Sequence, residues 1–130
     1  MPGNRILLDT NAAIAFFRPV PTITEILARC ESLLLRVVVL GELKFGVAKS
    51  TQKDKNRNRL DRFISQCEII PVREETTNFY AAVQNDLRSK GRPIPDNDLW
   101  IAALALEHQV PILTQDRHFD EVEGLERLGC

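Results

Sequence analysis

The 130-residue sequence predicts an α/β protein, a three-layer α/β/α sandwich around a central parallel sheet. Three observations predict it. Apolar runs of strand length alternate with helical patterns, the order that parallel strands and crossover helices require. No repeat, low-complexity tract or Gly/Ser linker divides the chain, so a single domain over residues 1–130 is expected. Hydrophobic residues make up 44% and charged residues 27%, enough apolar matter for one core in an ordinary globular protein.

The elements follow in order. Ile6–Asp9 reads as a short apolar strand that ends on an acid, and a helix from about Asn11 to Phe17 is stopped by Pro19. Thr22 and Glu25 have capping-box spacing, which opens a second helix over roughly Thr22 to Cys30. Leu33–Val37 is the next strand, and a helix spans about Val38–Lys49, although "VVVL" could also extend the strand. In "STQKDKNRNRLDRFISQC" an amphipathic helix places Leu60, Phe63 and Ile64 on its inner face. "EIIPV" is a short strand, and a long helix runs from about Glu75 to Lys90 until "GRPIP" breaks it. The helix over about Asn97 to His108 is nearly all apolar and so belongs inside. "PILT" is a strand, and "GLERL" a weak final one.

Composition narrows the function classes. No apolar run is long enough to span a bilayer, and Asn4, Arg5 and Asp9 interrupt anything like a secretory leader. Cys30, Cys67 and Cys130 are odd in number and lack CxxC spacing, which disfavours a disulfide framework or zinc site and fits a reducing cytoplasm. Two histidines are too few for a His-based metal cluster. With a formal net charge of −1, the chain has no global attraction to nucleic acid, so a polyanion needs a local patch or a bound cation.

Right-handed crossovers put helices on both faces of a parallel sheet, and ligands gather beyond the carboxyl ends of its strands. Acids that follow strands therefore matter. Asp9 ends the first strand, Glu42 lies early in the helix after the second, Asp96 and Asp98 open the buried helix, and Asp116 follows "PILT". Each has a plain structural reading. Asp is a favoured helix cap and turn residue, and a first-turn Glu suits the helix dipole. Taken together the acids mean more. Carboxylates gathered at one sheet edge repel, and a divalent cation such as Mg²⁺ or Mn²⁺ relieves that repulsion through oxygen ligands. Such a site suits phosphodiester hydrolysis.

"ILLDTNAAIAFF", "VVVLGELKFGV", "IPDNDLWIAALAL" and "ILTQDRHFDEVEGL" together resemble the PIN domain, most closely the VapC-type toxins of bacterial toxin–antitoxin pairs, over essentially the whole chain. The resemblance implies a magnesium-dependent endoribonuclease. It maps Asp9, Glu42, Asp98 and Asp116 onto the family's acidic quartet, with Asp9 and Asp98 as principal magnesium ligands. Thr10, Asn11 and Thr114 fall where the family keeps polar residues that orient the acids. Asp96 matches a position that is often acidic and is expected to support the ligands or cap the helix. Arg36 departs from the pattern, because a small residue or proline usually precedes this block. The resemblance further implies a homodimer and a VapB-like antitoxin that carries the contact with DNA. The antitoxin's apolar tail would lie in a groove near Ile14, Phe16 and Phe17.

Two other readings share the sequence: a PIN nuclease of RNA processing without an antitoxin, and an inactive PIN-like binding module. A phospho-receiver role for Asp9 is disfavoured, since no second Asp follows two residues later and no Lys follows "PILT". The basic residues Lys49, Lys53, Lys55, Arg57 and Arg59 form either a solvated helix face or a track for an RNA backbone, and Arg88, Lys90 and Arg92 offer a second such patch. Trp100 reads as a core or dimer contact rather than a base-stacking platform, and His118, beside Asp116, is either a substrate contact or, as a lone turn histidine usually is, an ordinary turn residue.

Overall fold

A computed structural model describes residues 5–14, 28–29 and 32–128. The chain forms two compact units, residues 1–71 and 72–130.

In the first unit, β1 (Arg5–Leu8), β2 (Ser32–Arg36) and β3 (Cys67–Ile70) pair in parallel with β2 in the middle. Leu7 lies opposite Leu34, and Leu34 opposite Glu68. Ile6, Leu7, Leu8, Leu33, Leu34 and Leu35 are all buried, a continuous apolar run rather than an alternating one. That is the mark of parallel strands covered on both faces. The covering helices are α1 (Thr10–Ile14), α2 (Val37–Ala48) and α3 (Lys53–Ile64).

"VVVL" belongs to α2, not to the strand. The β2–β3 ladder ends at Arg36 opposite Ile70, and the next residue on β3 is Pro71, which has no N–H to extend it. The chain turns into a helix that buries Val39, Leu43 and Val47 at four-residue spacing. Leu60 and Phe63 of α3 are buried as expected, while Ile64 is only half-buried. Burial pushes the Cys67 thiol up to about 11, which keeps it protonated and unreactive. Arg36 is 4% exposed at the end of β2, an unusual place for a guanidinium. Residues 15–17 of the first expected helix, nearly all of the Thr22–Cys30 helix, and the positions of Phe16, Phe17, Cys30 and Cys130 lie outside the described residues.

The second unit contains α4 (Glu74–Ser89), α5 (Asp96–His108), β4 (Ile112–Leu113), a 3₁₀ turn (Arg117–Glu121) and β5 (Arg127–Leu128). β4 and β5 pair in parallel. Gly91, at φ +66°, closes α4: its own N–H bonds to Arg88 O, and the Arg92 N–H bonds back to Leu87 O at 2.9 Å. This is the left-handed turn that glycine makes without strain. α5 buries Leu99 and all of Ile101–Ala105, as its apolar sequence predicts.

A buried polar tie joins α4 to α5. The Thr76 hydroxyl accepts the Arg73 N–H at 3.0 Å and donates to Glu107 at 2.6 Å, and the Arg73 guanidinium meets the same carboxylate at 2.5 Å. Burial alone pushes the Glu107 carboxyl up, but the Thr76 and Arg73 hydrogen bonds outweigh it and hold it below the usual range. Among the described residues, no helix is long and apolar enough to cross a membrane.

Candidate active site

The first unit carries two of the expected acids. Asp9 follows β1 and immediately precedes α1; its backbone O accepts the Ala13 N–H and its carboxylate accepts the Thr10 N–H at 2.6 Å. Asp9 thus stands at the start of α1, with its carboxylate turned onto the first helical N–H. Thr10 is half-buried and Asn11 exposed. Glu42 is exposed in the second turn of α2.

The second unit brings two acids together with His118, which the sequence offered only as a turn residue or substrate contact. Asp98 lies in the first turn of α5, where the helix dipole favours an anion. Asp116 precedes the 3₁₀ turn. Its carboxylate accepts the His118 N–H at 2.9 Å, and its own N–H donates to the Thr114 hydroxyl at 3.0 Å. Thr114 is 1% exposed, and its hydroxyl is the acceptor of that bond. The His118 Nδ1 lies 3.2 Å from Asp98 Oδ2 and 3.1 Å from Asp116 Oδ1. One donor atom from each of Asp98, Asp116 and His118 lies within 4.8 Å of the others. The Asp98 hydrogen bond, and after it the Asp116 charge, raise the His118 pKa above the ordinary histidine value.

Asp96 takes a different part. The start of α5 is Pro95, so both acids sit inside the first turn and the expectation that one of them caps the helix is corrected. The Tyr80 hydroxyl donates to Asp96, and the Tyr80 ring stacks on Trp100 at 4.0 Å between centroids. Trp100 is therefore half-buried against α4 and not enclosed in the core.

The Asp116 segment is held at both ends. Arg127 grips Asp120 through two bonds, Nε at 2.7 Å and Nη2 at 3.2 Å, and also donates to Thr114 O at 3.3 Å. Phe119, fully buried, anchors the turn between them. Arg127 did not stand out in the sequence, and His118 did so only as the neighbour of Asp116. "QDRHF" looks like any polar turn, and only the fold reveals what its histidine reaches.

The donor set suits a divalent cation. Two carboxylates within a few ångströms repel, and hard oxygen donors match Mg²⁺ or Mn²⁺.

Comparison with known proteins places this geometry. The model of the PIN domain family matches residues 6–125. Ribonuclease VapC2 of Rickettsia felis is 32% identical over 124 residues, covering 92% of this chain and 92% of that protein. The structure of VapBC2 from Rickettsia felis, bound to a DNA fragment from its promoter, superposes with a TM-score of 0.79 at 30% identity over 96% of this chain and 98% of that one. FitAcB from Neisseria gonorrhoeae gives 0.75 at 26% identity, over 95% and 96%. The likeness runs nearly end to end, so the α/β sandwich with a central parallel sheet expected from the sequence is the fold of this chain. The chain belongs to the PIN domain family, in its VapC-type branch.

Proposed function

We propose that this protein is a divalent-metal-dependent endoribonuclease and the toxin of a type II toxin–antitoxin pair. The observation that carries the reading is the convergence of Asp98 and Asp116, both on the family's acidic positions, in a chain whose relative of 32% identity is a ribonuclease, VapC2. Asp9 and Glu42 complete the ligand set on the same family pattern, with Mg²⁺ as the ion and Mn²⁺ as its substitute. When bound, the ion lowers the pKa of water and offsets the charge that builds on the phosphodiester. The residues themselves position the acids. The Thr10 N–H holds the Asp9 carboxylate, the Thr114 hydroxyl holds the backbone at Asp116, and the Arg127 grip fixes the segment that carries Asp116.

The neighbours of this fold are VapBC and Fit complexes, which supports a VapB-like antitoxin as partner, with DNA reached only through it. A homodimer is part of the same proposal. Two tests apply. Purified protein should cleave RNA with Mg²⁺ or Mn²⁺, stop in excess chelator, and leave 5′-phosphate and 3′-hydroxyl ends. Products with 2′,3′-cyclic phosphate would mean that the RNA 2′-hydroxyl is the nucleophile, and the metal-site reading would fall. Induction in cells should arrest growth, and co-expression of the neighbouring small gene should restore it. A harmless wild-type chain would leave the nuclease without its toxin role.

A further inference from the structure

We infer that His118 is a ligand of the metal, through Nδ1, so that the site is a mixed nitrogen and oxygen site and not an all-carboxylate one. The inference rests on the proposal that Asp98 and Asp116 bind a divalent cation, and it adds a donor atom that the acidic pattern does not contain.

The argument is geometric. Donors on adjacent vertices of an octahedron with bonds of about 2.1 Å stand about 3.0 Å apart, and opposite donors about 4.2 Å. The His118 Nδ1 is 3.2 Å from one acid and 3.1 Å from the other, which places it as a neighbour to both on such a polyhedron. All three donors lie within 4.8 Å of one another, wide enough for the two oxygens to be adjacent or opposite. The same nitrogen faces both acids, so no ring flip is needed for it to serve.

The backbone supports the placement. The His118 N–H is bonded to the Asp116 carboxylate, which fixes the start of the side chain relative to its neighbour ligand. Phe119, buried next in sequence, and the Arg127 grip on Asp120 hold the turn from the other side. His118 is 52% exposed, so the ring can be removed without opening the core.

A nitrogen donor changes which ion the site prefers. Imidazole adds little to the binding of Mg²⁺, which favours oxygen, and more to transition metals. The site should therefore bind Mn²⁺ more tightly than Mg²⁺, with His118 responsible for the difference.

The test uses the full, tag-free chain with Mn²⁺ as probe. Pulsed electron paramagnetic resonance of the bound ion should show nitrogen modulation from a directly bonded imidazole, and His118→Ala should abolish it. Calorimetric titration should show His118→Ala weakening Mn²⁺ binding roughly tenfold. Mg²⁺ binding should change by less than about twofold. Wild-type chain that binds Mn²⁺ without nitrogen modulation would overturn this inference alone, leaving His118 as a rim imidazole that gives way when the ion enters. Wild-type chain that binds no Mn²⁺ would overturn the metal reading and this inference with it.

Discussion

Asp98 shows how a structural preference and a proposed functional one can fall on the same residue. A carboxylate in the first turn of a helix is favoured by the dipole, so its presence in "DNDLW" calls for no further cause. The fold sets Asp116 and His118 beside it, and the proposed metal role rests on that juxtaposition. Replacing Asp98 or Asp9 by Asn should reduce RNA cleavage by roughly 100-fold or more, since neutral amides hold a divalent cation poorly. The fold should survive, because Asn at position 9 keeps an oxygen for the Thr10 N–H and Asn at 98 removes a like charge from beside Asp116. Cleavage assays with melting curves in chelator check both halves; full activity in either variant would remove that acid from the site. At this scale the sequence marked the acids more clearly than the histidine beside them. Asp9, Asp98 and Asp116 could be picked out because each follows a strand or opens a helix. His118 could be noticed only as the neighbour of Asp116, because Asp98 is twenty residues away and nothing local marks that pairing.

Elements were legible where their burial is periodic and less so at their ends. α5 was recognisable from its apolar run, and α4 from its length and the "GRPIP" break. The start of α2 was ambiguous because three valines suit a strand, and what decides it is Pro71 on the neighbouring strand, a long-range fact. Gly41 in α2 bears on stability. A Cβ there would meet nothing within 4 Å, and the helix interior disfavours glycine. Gly41→Ala should therefore stabilise the isolated chain by about 0.5–1 kcal/mol, read from denaturant unfolding. A loss of stability would show that the glycine answers a contact within the chain. The α4–α5 tie makes the second prediction at this scale. Glu107 has a lowered pKa in the folded state, so its contribution is full above the unfolded carboxylate value of about 4.3 and is lost as pH falls through the folded value. The gap in stability between wild type and Glu107→Gln should accordingly be largest near neutrality and shrink below about pH 4. A gap that stays constant across the acid range would mean that the Thr76 and Arg73 bonds do not favour the charged form.

On the scale of the whole molecule, fold and charge make different demands. The alternation of strands and helices was enough to anticipate the α/β class, because each buried strand in a parallel sheet must be apolar throughout. Charge was less decisive. A net charge of −1 and a sequence pI near 6.1 give RNA no general attraction, yet the proposed substrate is a polyanion. A cation at the proposed site would answer part of this, and the rest falls to a local surface. α3 supplies one: Lys53–Ile64 holds five basic residues against two acidic ones, and its lysines are exposed while Leu60 and Phe63 face inward. A helix so divided has its inner face committed to packing and its outer face left to solvent or to phosphate. If phosphate is the answer, each lysine that meets the RNA backbone displaces counterions, and affinity falls with salt at a slope of about 0.7 per contact on a single strand. Lys53→Gln combined with Lys55→Gln should then raise KM roughly tenfold at low salt and flatten the slope of log KM against log salt by about 1.4. kcat should stay within about twofold, because these side chains bind the backbone and leave the reacting phosphate to the acids. The measurement is a series of KM and kcat values over ionic strength for the two proteins. An unchanged slope would assign α3 to solvent and move the search for the RNA track to Arg88, Lys90 and Arg92. Of these, Lys90 already bonds Asp86 and Arg92 meets Glu121, so less of their charge is left for a phosphate.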